Sequence, residues 1–200
     1  MNKKQSMVIV LILLIACHSS LFAETGIDKA LVEINNRFTY KDRPIHPGLI
    51  AEFNGLLSDP WNPIITSLDI AAAYDTNQYQ NSDVRINENG LVFLQRDGKD
   101  NYFCYEWLGK LNNGLHVVEI WDGVGGCSGV FMSLFFVKFE KGYGLTPEGQ
   151  RHERLLMTIV RNAIVGDRDD GKITVLPDKV ILGKSKYRNR PVVLEFSNLR

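Results

Sequence analysis

Two patterns of apolar residues divide the chain into a short helical part and a long β part. Between residues 27 and 38 apolar side chains recur every three or four positions, which predicts an amphipathic helix. A second helix is predicted to begin at Pro47, because proline suits the first helical position, and Asn54-Gly55 predicts that it ends early. The predicted helical segment therefore covers residues 27–57.

From residue 66 onward the apolar pattern changes to the alternation that is typical of strands. Strands are predicted at 66–74, 84–88, 91–96, 101–109, 115–121, 130–139, 154–165, 172–176, 179–184 and 191–197. The apolar residues of 154–165 also fit a helix, but the β-branched run Thr158-Ile159-Val160 favours a strand. Residues 130–139 are apolar on both faces, so we expect this strand to be covered on both.

Asn-Gly and Asp-Gly pairs separate many of these strands. They occur at Asn89-Gly90, Asp97-Gly98, Asn113-Gly114, Asp122-Gly123 and Asp170-Gly171. Such pairs suit the two-residue type I′ turns of hairpins, and Asp170-Gly171 is predicted to join 154–165 to the next strand. The predicted fold class is mainly β (α+β): an antiparallel meander that forms a sandwich or open barrel, with two short N-terminal helices.

The charges of the hairpin around Asn113-Gly114 predict its register. A turn one residue earlier would place Glu106 directly opposite Glu119. Like charges in that position destabilise a sheet, so we expect the turn at Asn113-Gly114 itself. This register places Cys104 opposite Gly123.

Residues 1–23 predict export. Lys3-Lys4 precedes an apolar run from Met7 to Ala16, and a basic stretch followed by an apolar run and small residues is the pattern of a secretion signal. The run is shorter than the roughly 20 residues that span a bilayer, so no transmembrane helix is predicted. Cleavage after Ala23 would leave residues 24–200 as a single mainly β domain.

A second cleavage site is possible within the same segment. Leu14-Ile15-Ala16-Cys17 resembles the lipobox of bacterial lipoproteins. That resemblance implies a cut before Cys17, a lipid on this cysteine and a tether to the outer membrane. The two cuts leave two locations open: a periplasmic or secreted protein, or an anchored lipoprotein.

Charge and histidine placement argue against several classes of partner. The chain carries 23 Lys and Arg against 23 Asp and Glu, and this neutral balance gives no global attraction to nucleic acid. Nucleic acid is therefore not an expected partner. The four histidines show no ligand spacing, so the sequence predicts neither a metal site nor a cofactor.

Cys104 and Cys127 remain in the mature chain whichever cut is used. An even number of cysteines in an oxidising compartment predicts a disulfide. The segment 125–129, with Cys127 at its centre, has the outline of a nucleophile elbow. An elbow needs a helix after the nucleophile, whereas a strand is predicted from Val130, so the disulfide is preferred to a thiol nucleophile.

One candidate binding site is a basic stretch near the C-terminus. Its cations are Lys184, Lys186, Arg188 and Arg190, and they alternate with uncharged residues. In an extended strand all four would share one face and could hold an anionic partner such as a lipid headgroup. The alternative is an edge strand or loop whose charges discourage aggregation.

A second candidate site lies on the hairpin 101–121. Glu106, Glu119 and Trp121 share one face, which combines polar and aromatic groups as the floor of a ligand groove does. An ordinary solvent face would have the same composition. Both interpretations stay open from the sequence.

The sequence assigns no catalytic residue. We therefore expect an exported cell-envelope protein, a non-enzymatic β domain that binds a ligand, an envelope lipid or another envelope protein. A hydrolase that uses Cys127 or a carboxylate of the hairpin 101–121 is the runner-up. A structural lipoprotein tethered through Cys17 is the third hypothesis.

Overall fold

The structure is a computed structural model that describes residues 26–57, 66–79, 84–96, 101–123 and 129–196. The predicted signal and lipobox, the Asp97-Gly98 pair, the connection 58–65 and Cys127 with its glycine-rich loop lie outside the described residues. No helix within these ranges is long and apolar enough to span a membrane.

The N-terminal part is helical, as predicted. It contains helix α1 (Gly26–Arg37), the short strands β1 (Thr39–Tyr40) and β2 (Arg43–Pro44), helix α2 (Pro47–Ala51) and a 3-10 helix (Glu52–Leu57). Pro47 is the first residue of α2, and the imidazole of His46 caps this helix. A third helix, α3 (Ile70–Asp75), follows later in the chain.

The β part forms two antiparallel sheets. The strands are β3 (Ser67–Asp69), β4 (Val84–Ile86), β5 (Val92–Gln95), β6 (Tyr102–Lys110), β7 (His116–Gly123), β8 (Val130–Leu145), β9 (Arg151–Asp167), β10 (Ile173–Val175), β11 (Lys179–Leu182) and β12 (Val192–Glu195). The large sheet has the order β3-β9-β8-β7-β6-β5-β4 and curls into a half-barrel, while β10-β11-β12 form a small sheet. The predicted fold class is confirmed, and the ambiguous segment 154–165 is a strand.

The large sheet separates two hydrophobic cores. On one face Phe135 and Val137 of β8 pack under the helices together with Ile34 of α1. On the other face Leu134 and Phe136 pack against the small sheet. The prediction that strand 130–139 is covered on both faces is therefore confirmed.

The hairpin loops are one residue longer than the predicted type I′ turns. Three of these loops end in a glycine: Gly90, Gly114 and Gly149. In each, the glycine amide donates to the carbonyl three residues earlier, and the residue that accepts this bond donates its own amide to the carbonyl of the residue after the glycine, so the loop contains three residues. Only this glycine has a positive φ, between 80° and 85°. These are type I turns followed by a glycine bulge, so the type I′ interpretation is wrong at Asn89-Gly90 and Asn113-Gly114.

The predicted register of the β6–β7 hairpin is wrong for the same reason. The three-residue loop pairs Lys110 with His116, a bulge at Leu108 shifts the register once more, and Glu106 lies directly opposite Glu119. The total shift is two residues, so every side chain stays on the face that was predicted.

Two other predicted connections differ. The predicted strand 66–74 ends at Asp69, because the Asp69 carboxylate accepts the Ala72 amide and caps α3. Asp170-Gly171 was predicted to form a hairpin between 154–165 and the next strand, but β10 pairs with β11 in the small sheet instead. Asp122-Gly123 lies inside β7 and forms no turn.

Candidate functional site

A cleft of about 460 Å³ lies beside the start of α2, between α3 and strand β4. We call it the His46 cleft. Its lining residues are Arg43, Pro44, His46, Ala73, Tyr74, Asn77, Gln78, Tyr79, Val84 and Ile86. Its size is within the range of sites for small organic ligands.

Tyr74 of α3 fixes the backbone that carries His46. The Tyr74 hydroxyl donates to the Pro44 carbonyl at 3.0 Å and accepts the His46 amide at 3.0 Å. Both hydrogen-bonding roles of this hydroxyl are thereby used. Burial is the main reason that the pKa of Tyr74 is raised, so the phenol stays protonated.

Tyr79 covers the imidazole of His46. The two rings stack with centroids 4.7 Å apart and planes within 11°. A Cβ on Gly48 would lie 2.9 Å from the Tyr79 ring, so only glycine lets the ring approach α2 this closely. The Tyr79 hydroxyl donates to Glu52 at 3.0 Å, and burial followed by this contact raises its pKa.

His46 presents a donor with no partner in the described part of the chain. Its Nδ1 accepts the Gly48 amide at 3.0 Å, so the proton of the neutral ring is on Nε2. Burial lowers the pKa of His46, which keeps the ring neutral. Nε2 is buried and makes no hydrogen bond to described residues, so the described part of the chain leaves this donor uncompensated.

The walls of the cleft combine apolar and polar side chains. Ring faces and the aliphatic side chains of Val84 and Ile86 supply most of the apolar lining, and no carboxylate, hydroxyl of Ser or Thr, or thiol belongs to the described lining residues. Arg43 is exposed and makes no ion pair with a described residue. The cleft therefore combines apolar ring and aliphatic surfaces with the amides of Asn77 and Gln78 and with the Arg43 guanidinium.

The predicted groove of Glu106, Glu119 and Trp121 is covered. These residues do share one face, but the small sheet packs on it: Trp121 joins the second core and Glu119 is only 7% exposed. Burial, followed by the charges of Glu106 and Asp169, raises the pKa of Glu119 to about 7.

The predicted disulfide is not found. Cys104 is a buried free thiol in β6, opposite Trp121, and Cys127 lies outside the described residues. Burial, with the neighbouring charges of Glu119 and Asp122, raises the pKa of Cys104 to about 12. This thiol is therefore unsuited to nucleophilic chemistry.

A Cys127 nucleophile would need a histidine and a carboxylate as partners, and the candidates His116, His152 and Asp122 are not brought together. His116 is buried against Phe38, and its pKa falls to about 4 because of burial and the nearby Lys110. Asp122 is six residues away along the same strand, roughly 20 Å at the usual strand rise, and binds Arg96 at 2.7 Å. His152 lies at the far end of the β8–β9 hairpin, opposite Gly144.

The basic stretch divides into inward and outward cations. The segment is a turn between β11 and β12 and not an extended strand. Lys184, Lys186 and Arg190 are exposed, whereas Arg188 binds the fully buried carboxylate of Asp169 at 2.7 Å.

The His46 cleft was missed by sequence reasoning. The sequence pattern singled out none of the four histidines, and Tyr74 belonged to a predicted strand. The one available signal was the placement of two tyrosines and a Pro-flanked histidine near polar loops, which is too general to predict a cleft.

Comparisons of the chain with protein-family models, with curated proteins and with solved structures found no match in any of the three.

Proposed function

We propose that this chain is an exported cell-envelope protein whose β domain is non-enzymatic and binds a small ligand in the His46 cleft. The observation that carries the proposal is the cleft itself, about 460 Å³ in volume and walled by ring faces and aliphatic side chains. The sequence pattern of residues 1–23 supports export, with the cut before Cys17 as the alternative.

The lining favours a ligand with an apolar or aromatic body and an anionic end. Both tyrosine hydroxyls are occupied by protein partners, so they offer ring faces and no polar recognition. Arg43 is the free charge at the cleft, and a guanidinium matches carboxylate, phosphate or sulfonate groups.

The two other hypotheses gain no support from the described residues. A hydrolase based on the hairpin 101–121 would need an accessible carboxylate, but Glu119 lies between the two sheets and Glu106 is only partly exposed. A purely structural lipoprotein would not require a cleft of this size. The ligand-binding hypothesis accounts for the cleft and for the absence of a nucleophile among its described lining residues.

Binding of fluorescent probes tests the proposal. Anilinonaphthalene sulfonate combines an aromatic body with an anion, and N-phenylnaphthylamine is a neutral relative. We expect saturable binding of both at one site. Arg43→Gln should weaken binding of the anionic probe by about tenfold, the value of one charge-assisted contact, and leave the neutral probe unchanged.

A matched pair of substitutions separates the cleft from general surface binding. Ile86 lines the cleft and is 59% exposed, while Ile164 is 73% exposed and lies away from it. Ile86→Asp should abolish binding of both probes, and Ile164→Asp should not change it. Equal losses in the two variants, or no saturable binding by the parent, would refute the proposal.

A further inference from the structure

The turn between β11 and β12 is pinned so that its tip projects outward. The Ser185 amide donates to the Arg188 carbonyl and the Arg188 amide donates back to Ser185, at 3.0 and 3.2 Å. This pair closes a tight turn with Lys186 and Tyr187 at its tip. Tyr187 is 60% exposed and has the Lys186 ammonium 4.9 Å from its ring centroid.

The buried side chain of Arg188 stabilises this turn through its hydrogen bonds. Its guanidinium donates to the Val165 carbonyl at 3.0 Å, to the Gly183 carbonyl at 3.2 Å and to Asp169 at 2.7 Å. The Asp169 carboxylate also accepts the Ser185 hydroxyl at 2.8 Å. The charges of Arg188 and Asp169 therefore neutralise each other inside the protein, and the turn behind the tip is fixed.

A neighbouring loop adds two further cations to the same region. Arg168 and Lys172 are both exposed, and the Gly183 amide donates to the Lys172 carbonyl at 2.8 Å, which places Lys172 beside Lys184. The Tyr187 ring lies 3.9 Å from the position of a Cβ on Gly166, two residues before Arg168. The loop 167–172 and the turn 183–190 thus form one surface.

The cations of this surface have no ion-pair partner in the described part of the chain. We define the basic surface as Arg168, Lys172, Lys184, Lys186, Arg190 and the exposed Tyr187. None of its five cations forms an ion pair with a residue in the described ranges. The loop also carries two acids: the exposed Asp170, whose carboxylate accepts the Lys186 amide at 2.9 Å, and the partly exposed Asp167, which accepts the Val130 amide at 2.8 Å. A region with five cations against these two acids thus lies on a chain whose overall charge is zero.

We propose that this basic surface docks the domain onto an anionic lipid bilayer. Lysine and arginine near an anionic leaflet each strengthen binding about fivefold, and a tyrosine ring is amphipathic and favours the membrane interface. The tip is a projecting turn, which can contact a flat surface. Nucleic acid is less well matched, because the basic surface as defined contains a single exposed aromatic ring, whereas proteins that bind single strands stack successive bases on several rings.

Vesicle cosedimentation tests the proposal on the protein purified as the cell processes it. Phosphatidylcholine vesicles with about one third phosphatidylglycerol are compared with pure phosphatidylcholine, at roughly 0.05 M and roughly 0.5 M salt. We expect binding to the anionic vesicles to exceed that to the neutral ones, and this excess to disappear at high salt. A lipid on Cys17 would add binding to both vesicle types equally.

A triple substitution and a matched control locate the binding. Lys184→Gln, Lys186→Gln and Arg190→Gln together should weaken anionic vesicle binding about 100-fold, from three fivefold effects. The control replaces three exposed cations elsewhere, Lys29→Gln, Arg37→Gln and Arg151→Gln, for the same change in net charge. It should keep the parent affinity, and circular dichroism should show both variants folded.

Several results would overturn the proposal. These are equal binding to neutral and anionic vesicles, equal losses in the two triple variants, or no vesicle binding at low salt. A single-stranded RNA that binds the parent but not the Lys184, Lys186 and Arg190 variant, without vesicle binding, would assign the basic surface to nucleic acid instead. The outcome does not depend on the His46 cleft, which lies at the opposite, helical face of the large sheet.

Discussion

The substitution Glu119→Gln tests the physical reason that the β6–β7 hairpin accepts two opposed glutamates. Glu119 is 7% exposed and lies opposite Glu106, between the large and the small sheet. Burial and the neighbouring negative charges raise its pKa from 4.5 to about 7. The folded protein therefore keeps a proton on Glu119 where the unfolded chain has lost it.

The magnitude follows from the difference between the two pKa values. The pKa of Glu119 rises by about 2.5, and each pKa unit corresponds to about 1.36 kcal/mol of free energy, so the difference amounts to about 3 kcal/mol. Between these pKa values the folded state binds more protons than the unfolded state, so the free energy of unfolding falls as pH rises. The contribution is fully present below 4.5 and is lost once the pH exceeds about 7. Glutamine cannot ionise, so the variant lacks this slope.

Urea denaturation followed by tryptophan fluorescence measures the effect across this pH range. At about pH 8 we expect Glu119→Gln to unfold with a free energy up to about 3 kcal/mol above the parent, and near the acid end of the range to equal it. Glu106→Gln removes the neighbouring charge but not the burial, so it should reduce the parent slope only in part. A parallel pH dependence in parent and Glu119→Gln, or a lower stability of the variant at about pH 8, would refute the reasoning.

Three further predictions concern the interior. Tyr105→Phe removes a buried hydroxyl that donates to the Ile45 carbonyl at 2.6 Å, and should lower the free energy of unfolding by about 1–3 kcal/mol in urea titration; an unchanged value would contradict this. Asp169→Asn leaves the Arg188 charge poorly paired and should cost about 3 kcal/mol by thermal denaturation. Burial opposes ionisation of Asp169, but its hydrogen bonds and the charge of Arg188 hold its pKa below the usual value of 3.8. The ionised carboxylate therefore stabilises the parent above pH 3.8, and this stabilisation is lost only as the pH falls below that value. The Cys104 thiol should resist maleimide in the native protein at about pH 8, because its pKa is about 12. Labelling of Cys104 after denaturation without reductant would show a free thiol. Labelling of Cys104 only after reduction would show the predicted disulfide.

The meander was predictable because strand pattern and turn residues agree along the chain. The apolar alternation of residues 115–121 and the two-sided strand 130–139 both correspond to strands with the expected faces. The loop geometry was less predictable. An Asn-Gly pair fits a two-residue turn and the end of a three-residue loop equally well. The longer loop alone would shift the pairing by one residue and exchange the faces, and the bulge at Leu108 adds the second shift that restores them.

The corrected register shows where a charge rule fails. Two opposed glutamates repel each other only if both are ionised, and the burial of Glu119 by the small sheet keeps this side chain largely protonated below its pKa of about 7. The sequence gives no sign of this cover, because residues 172–197 read only as further strands of the same meander. For the same reason the predicted groove was placed on a face that tertiary packing closes.

The His46 cleft depends on contacts between distant segments, which a local pattern cannot supply. Tyr74 reaches across 28 residues to the His46 amide, and its helix exists because Asp69 caps it. Helix caps compete closely with strand alternation in short segments. The free cations of the basic surface were partly predictable, but the inward turn of Arg188 was not.

The pairing of β3 with β9 has a consequence for the order in which the chain folds. The hairpins from β4 to β9 can form through local contacts, whereas Ser67 meets Thr158 only after a loop of 91 residues closes. Loop closure of this length slows folding, so the edge strand and the N-terminal helices are expected to dock after the meander has formed. A substitution in β3 should therefore accelerate unfolding and leave the refolding rate nearly unchanged. If the chain crosses a membrane N-terminus first, the N-terminal helices and β3 would emerge before the meander but pack into their native positions after it.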